Sequence, residues 1–368
     1  LPAPTPFAIS GFFAPASMII FLTTAAHGYT IKRYLEASAA SLRRQVMTMS
    51  YGEFLSWRKL PAGHYIFADV DRLDADEAAA VARRIDHLAA ALPSAVRLND
   101  PRRLLGRLQL LNALQAAGIN DFGARLSTAP IDGLRYPVFV RPLIEHKAGL
   151  TPLLHDASEL RAALERLRHD GIDLSSCVTT EFIDVRNADG HYEKYSVLRI
   201  GDVFIASDHS MNDRWIVKGE DDEAVIADDL ASCLAFQHAN PHEAQLRPIF
   251  DRAGVDYGRV DYAFARGRLQ VFEINPNPTL SPDFHGVGEY RRSTRLYNAM
   301  IADGLRALLA KPVGARGWLT VDGAGGAERV EAESRLRQLV RRSLRAIGLL
   351  RWEHDCARWR QALTGRRD

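Results

Sequence analysis

Two carboxylates stand among apolar neighbours in successive short runs. Asp261 lies between Val260 and Tyr262, and Glu273 lies between Phe272 and Ile274. Residues 258–264 and 271–278 read as two strands joined by a turn at Ala265-Arg266-Gly267-Arg268. Side chains alternate across a strand, so Asn275 shares a face with Glu273. A hairpin that gathers Asp261, Glu273 and Asn275 offers hard oxygen ligands to Mg²⁺, with Mn²⁺ as a substitute. Such a cation keeps some of its water and bridges substrate phosphates. Without a cation or proton between them, two carboxylates this close repel.

Further chemistry-bearing blocks precede this hairpin. A strand over 136–142 ends in Arg141-Pro142, and the loop Glu145-His146-Lys147-Ala148-Gly149 follows it. Residues 178–184 are a β-run that ends Glu181-Phe182-Ile183-Asp184. Asn99-Asp100-Pro101 reads as a capped helix start running to about 117, with Arg103 and Arg107 in its first turns. A hairpin over 192–207, turned at Gly201-Asp202, carries Lys194 and Arg199, and His209 and Lys218 come after it. Each of these cations could face a transferring phosphoryl group, and each taken alone could equally be a surface charge.

In this order, the strand ending Arg-Pro, the covering loop, the Glu-Phe-Ile-Asp run and Arg259-x-Asp261 with Glu273-Ile274-Asn275-Pro276-Asn277-Pro278 resemble the ATP-grasp superfamily. The resemblance spans about residues 100–300. It implies two α+β lobes that sandwich ATP, preceded by a small parallel α/β domain and followed by a helical tail. It also implies that Asp261, Glu273 and Asn275 hold one or two Mg²⁺ ions. Arg259 would then stabilise charge on an acyl phosphate or tetrahedral intermediate, and Arg141 would touch the nucleotide phosphates. Arginine stands where the better-known ligases carry lysine, which fits a less characterised branch in which a histidine, here His146, follows Arg-Pro. An arginine still binds phosphate, through a planar fork. By the same resemblance, Lys147 and the loop to Gly149 cover the phosphates, and Lys194, His209 and Lys218 approach them. Glu181 accepts from the adenine amine, the backbone of Phe182 and Ile183 pairs with the base edge, and Asp184 reaches the ribose. Arg103 or Arg107 supplies a further phosphate contact, and Ser281, His285, Arg291 and Arg292 border the acceptor.

Composition agrees with an enzyme of this kind. The chain has 368 residues, a net charge of +2, 25% charged and 47% apolar residues. That is enough for two or three domains, with no field that demands nucleic acid. Cys177, Cys233 and Cys356 form neither a metal motif nor a disulfide framework, so a reducing cytoplasm is expected. Residues 6–26 are apolar and uncharged, but Gly11, Pro15 and Ser17 interrupt them, and 18–23 read as a buried strand rather than a membrane span.

Strands at 18–22, 45–49 and 64–68 alternate with helical patterns at 30–42, 52–60 and 74–92, which implies a parallel sheet. Asp69 and Asp71 end the third strand, at the edge where open α/β sheets bind ligands or cap helices. The turn 23–28 either binds an anion at the next helix or is simply capped. The expected domains are 1–97, 98–180, 181–310 and 311–368. The last contains a Gly-rich linker and a basic, Leu-rich helix over 328–363 that packs on the body, a second subunit or an anionic partner.

The implied reaction is an ATP-dependent ligation. A carboxylate takes the γ-phosphoryl group, and an amine then displaces phosphate to leave an amide. A phosphotransferase and a noncatalytic nucleotide-binding protein are the alternatives. The acceptor is a small molecule, an amino acid or a peptide, and a homodimer is a further expectation. On this reading, loss of Glu273 costs turnover more than folding.

Overall fold

The computed structural model describes residues 17–144, 149–215, 227–280 and 289–321. The chain opens with a parallel sheet. Its strands are β1 (Ile19–Thr23), β2 (Val46–Ser50), β4 (His64–Phe67) and β5 (Arg97–Leu98), in the order β2-β1-β4-β5; β3 (Lys59–Pro61) stands apart. β1 is buried along its whole length, as a central parallel strand covered on both faces must be. Helices α1 (Tyr29–Ala37), α2 (Tyr51–Ser56) and α3 (Ala75–Ala91) cover the sheet. Asp74 opens α3 by accepting from the N–H groups of Asp76 and Glu77, while Glu77 reaches back to the Asp74 N–H. This reciprocal cap satisfies donors that the first turn leaves orphaned.

Two antiparallel sheets follow. The smaller contains β6 (Ala124–Leu126), β7 (Val138–Pro142) and β8 (Cys177–Glu181), in the order β6-β8-β7. Helix α4 (Arg107–Ala116) precedes it, and α5 (Ala157–His169) buries Leu160 and Leu164 against Val138 and Val140. Alternation along β7 therefore turns Phe139 and Arg141 to its other face. The larger sheet has β9 (Tyr192–Ile200), β10 (Val203–Asn212), β11 (Tyr257–Ala265) and β12 (Arg268–Asn275), in the order β10-β9-β11-β12. Its helices are α6 (Ala227–Ala239), α7 (Glu243–Ala253) and α8 (Glu289–Leu309). Leu110 and Leu114 of α4 pack with Leu246, Ile249 and Phe250 of α7 behind it, on Val197, Val260, Tyr262 and Val271. In front, Ile301 and Leu305 of α8 pack on Leu198, Ile200 and Ile205 in a core that continues to Ile19, Phe21 and Ile66. The parallel sheet and the large antiparallel sheet are thus joined by one apolar body.

Several elements differ from the sequence expectation. The helix expected from Asn99 begins only at Arg107, because Asn99 is spent elsewhere. Its amide accepts from the Asp256 and Tyr257 N–H groups and donates to the Tyr257 carbonyl, in a left-handed backbone conformation. Helix 30–42 stops at Ala37, and the 52–60 segment splits into α2 and β3. Part of the expected linker, β13 (Trp318–Thr320), pairs with β3, and Val313 and Val321 are buried against the N-terminal domain. The basic helix expected over 328–363 lies outside the described residues. No described helix is long and apolar enough to cross a membrane.

Candidate active site

The front of the large sheet carries one row of polar side chains across its four strands. Register pairs Asp208 with Ser196, Ser196 with Asp261, and Asp261 with Glu273. Asn275 pairs with Arg259 one step along the same face. Two bulges shape the row. On β10 the register shifts between Ala206 and Asp208, and on β12 Phe272 is the extra residue opposite the Asp261–Tyr262 step. A bulge lets two consecutive residues escape strict alternation. Phe272 therefore joins Ile183, Tyr192, Val185 and Ala263 in an apolar cluster, while Val271 and Ile274 remain with the core behind.

Cations from α4, from β7 of the smaller sheet and from β11 itself converge on this row. The Arg107 guanidinium donates to Glu273 Oε2 at 2.7 Å, and Arg141 donates to the same oxygen at 2.5 Å. Arg107 also donates to the carbonyls of Pro142 and Leu143, which fixes the end of β7 to α4. Burial, followed by the nearby Arg141, pulls the Arg107 pKa down, while Glu273 acts in the opposite sense. Arg259 Nε lies 3.2 Å from Asp261 Oδ1, which also accepts from the Ser196 hydroxyl at 2.9 Å. Burial works against the Arg259 charge, but Asp261, Tyr297, Asp208 and Glu273 together raise its pKa.

Asp261, Glu273 and Asn275 supply two carboxylates and one amide on neighbouring positions of one face. Asn275 Oδ1 accepts from the Asn277 N–H at 2.9 Å, which orients the amide. This all-oxygen set fits a hard divalent cation that retains water. Among the described residues, no group of three or more His, Cys, Asp or Glu side chains is gathered to hold a metal ion.

The linker between the lobes is aromatic. Phe182 meets Tyr192 and Trp215 edge-on, with ring centroids 6.3 and 6.1 Å apart, and Trp215 lies 5.0 Å from Phe139. Ile183 and Phe272 pack with Tyr192 in the neighbouring apolar cluster, so aromatic and apolar side chains gather along this linker. Glu181, at the start of this linker, is already engaged. It accepts from the N–H groups of Gly123 and Arg135 and from the Arg135 side chain. Burial opposes its charge, but the bonds from Arg135 and Gly123 hold its pKa below the ordinary carboxylate range. The Phe182 N–H goes to the Pro137 carbonyl. Asp184 is exposed and pairs with Arg186, whose hydrogen bonds lower the Asp184 pKa.

Some cations expected at the phosphates lie elsewhere. His209 is on the rear face, stacked on Tyr195 at 4.2 Å, and burial lowers its pKa. The alternation that turns Asp208 forward turns His209 back. Arg199 is likewise buried on the rear face, bonded to Asp251 and to the carbonyls of Gly201 and Val255. Arg103 is exposed, with Asp256 3.8 Å away, so Arg107 is the helix cation at the site. Lys194 shares the front face with Ser196. Arg292 is exposed on α8. Lys147, His146, Lys218, Ser281 and His285 lie outside the described residues, and the side chain of Arg291 is not described.

The edge of the parallel sheet meets the chain just beyond β12. Asn277 accepts from the Thr30 hydroxyl at 2.8 Å and donates to the His27 carbonyl at 3.4 Å. The turn considered for an anion is filled by a protein carboxylate, since Asp69 accepts from the Thr24 N–H. Sequence reasoning missed Ser196, Asp208, Phe272 and Trp215. The first two carry no motif, and the bulge that redirects Phe272 has no local signature.

Solved structures similar to this chain include D-alanine–D-alanine ligase from Bacillus anthracis complexed with ATP, at 13% identity over 79% of this chain and 99% of that one, TM-score 0.44. Others are a RimK domain protein ATP-grasp from Sphaerobacter thermophilus (16%, 78% and 99%, 0.43) and N5-carboxyaminoimidazole synthase from Aspergillus clavatus in complex with ADP and 5-aminoimidazole ribonucleotide (12%, 82% and 79%, 0.44). Overlap this loose carries no argument on fold or activity. No protein-family model and no curated protein matches the chain.

Proposed function

We propose that this chain is an ATP-dependent carboxylate–amine ligase of the ATP-grasp kind, acting on a small-molecule, amino-acid or peptide acceptor. One observation carries the reading. Arg107 of α4 and Arg141 of the smaller sheet meet on Glu273 of the larger sheet, opposite Asp261. Cations and carboxylates from two sheets thus meet at one place, the charge pattern a metal–polyphosphate ligand requires.

In this reading the adenine packs against the aromatic and apolar side chains of Phe139, Phe182, Ile183, Trp215 and Phe272. Asp184, exposed at the end of the linker, is placed for the ribose. Glu181 acts by fixing the linker through Gly123 and Arg135 and leaves base pairing to the Phe182 carbonyl and the backbone of Ile183, since the Phe182 N–H is bonded to Pro137. Arg141 and Arg107 turn from Glu273 to the phosphates, and Lys147, Lys194 and Lys218 add charge around them. Glu273, Asp261 and Asn275 would hold Mg²⁺, which supplies neutralisation of phosphate charge when bound. Arg259, kept charged between Asp261 and Asp208, stabilises the oxyanion that develops as the amine attacks.

The test is calorimetric titration of ATP, with and without Mg²⁺, into wild type, Arg141→Ala and Asn275→Ala proteins. Magnesium-dependent binding weakened about tenfold or more in each variant is expected; absence of binding to the wild type at millimolar ATP overturns the reading. Release of ADP with a panel of amino acids then separates ligase from binder. The noncatalytic alternative predicts binding without ADP release. A phosphorylated product in place of an amide identifies a phosphotransferase.

A further inference from the structure

At the ligand edge of the parallel sheet, a histidine is arranged for proton transfer. His27 Nδ1 lies 3.0 Å from Asp69 Oδ2 and 2.7 Å from the Thr24 hydroxyl, which itself donates to Asp69. Asp69 is almost fully buried in a left-handed backbone conformation, and Arg72 is paired with its other oxygen at 2.7 Å. A non-glycine residue is held there only where its surroundings over-determine it. Burial opposes the Asp69 charge, but hydrogen bonds from His27 and Thr24 bring its pKa below the ordinary value. A carboxylate can only accept, so Nδ1 of His27 carries a proton, and in the neutral ring the lone pair is then on Nε2. The ring is 30% exposed, and its other charged or titratable neighbours are Tyr29, with ring centroids 6.3 Å apart, and Lys32, next to Gly28.

The dyad adjoins the candidate active site. The His27 carbonyl accepts from Asn277, whose N–H is bonded to Asn275. Asp71, two residues beyond Asp69, is near enough to Arg107 to favour its charged form.

We propose that His27, oriented by Asp69, is the base that deprotonates the acceptor, and that the acceptor is a primary ammonium. The inference rests on the ligase reading. Nε2 takes one proton from the ammonium, the freed nitrogen lone pair attacks the acyl-phosphate carbonyl, and the carbon–oxygen bond to phosphate breaks. The second nitrogen proton leaves with the phosphate, and an amide remains. His27 is the catalytic group here, and Asp69 is a positioning residue.

Two measurements test this. Nitrogen-15 NMR of the wild-type imidazole should show His27 as the Nδ1–H tautomer, and an Nε2–H tautomer overturns the dyad whether or not ATP binds. Wild type and His27→Gln are then compared with the amino-acid panel as carboxylate, and with either a panel amine or hydroxylamine as acceptor. Hydroxylamine is largely unprotonated at neutral pH and has little need of a base. The ratio of amide to hydroxamate should fall by about 100-fold or more in His27→Gln. An unchanged ratio, with both products lowered alike, overturns the proton-transfer role. Failure of the ligase reading shows separately, as absence of magnesium-dependent ATP binding in both proteins.

Discussion

Replacing Glu273 with glutamine should destabilise the protein as well as disable the site. Arg107, Arg141 and Glu273 are 5%, 14% and 12% exposed, so all three charges are largely withdrawn from water. Removing one partner of a buried ion pair leaves an uncompensated charge and costs about 3–5 kcal/mol. Glutamine retains one acceptor oxygen, which places the expected loss near the lower end, about 3 kcal/mol. Urea denaturation of wild type, Glu273→Gln, Arg141→Gln and the double variant measures this as a cycle. We expect a coupling of about 1 kcal/mol or more, and ATP without Mg²⁺ should stabilise Glu273→Gln more than wild type, because the polyphosphate restores the missing negative charge. A coupling below about 0.5 kcal/mol, within the scatter of independent sites, would refute the reasoning. The expectation drawn from sequence, that this residue matters for turnover more than for folding, is replaced by one in which it matters for both.

Three further outcomes follow from the packing. Gly254 closes α7 at φ +67°, and a Cβ there would run into the Arg103 carbonyl. Gly254→Ala should therefore lower the urea midpoint by an amount worth about 2 kcal/mol or more, and an unchanged midpoint would contradict the close approach. Asn99→Ala deletes three buried hydrogen bonds to Asp256 and Tyr257 and should cost about 3 kcal/mol or more, with Asn99→Gly recovering only the backbone strain. Burial lowers the pKa values of His209 and His242. The unfolded chain then binds more protons than the folded one below the ordinary histidine pKa of about 6.5. Stability should be complete above that value and fall as pH drops through it towards the folded values. Equal urea midpoints at pH 7.5 and 5.5 would count against this.

Much of the architecture was legible because its signals are local. The continuous apolar run of β1 marks a strand buried on both faces, Asp74 with Glu77 marks the start of α3, and the alternation around Asp261 and Glu273 marks a hairpin with its acids on one side. Other features depend on residues far apart in the chain. Asn99 resembles a helix cap until Asp256 and Tyr257, more than 150 positions away, are placed against it. His209 resembles a phosphate ligand until the bulge before Asp208 settles which face it takes. The types and spacing of Asp261, Glu273 and Asn275 pointed by themselves to hard-cation ligation, because ligand chemistry belongs to side chains and strand alternation is a property of the backbone. Only the tertiary structure decided that Arg107 rather than Arg103 reaches Glu273, that Glu181 is spent on Gly123 and Arg135, and that His27 meets Asp69. Those choices depend on distances between elements, which packing sets and sequence neighbours do not encode.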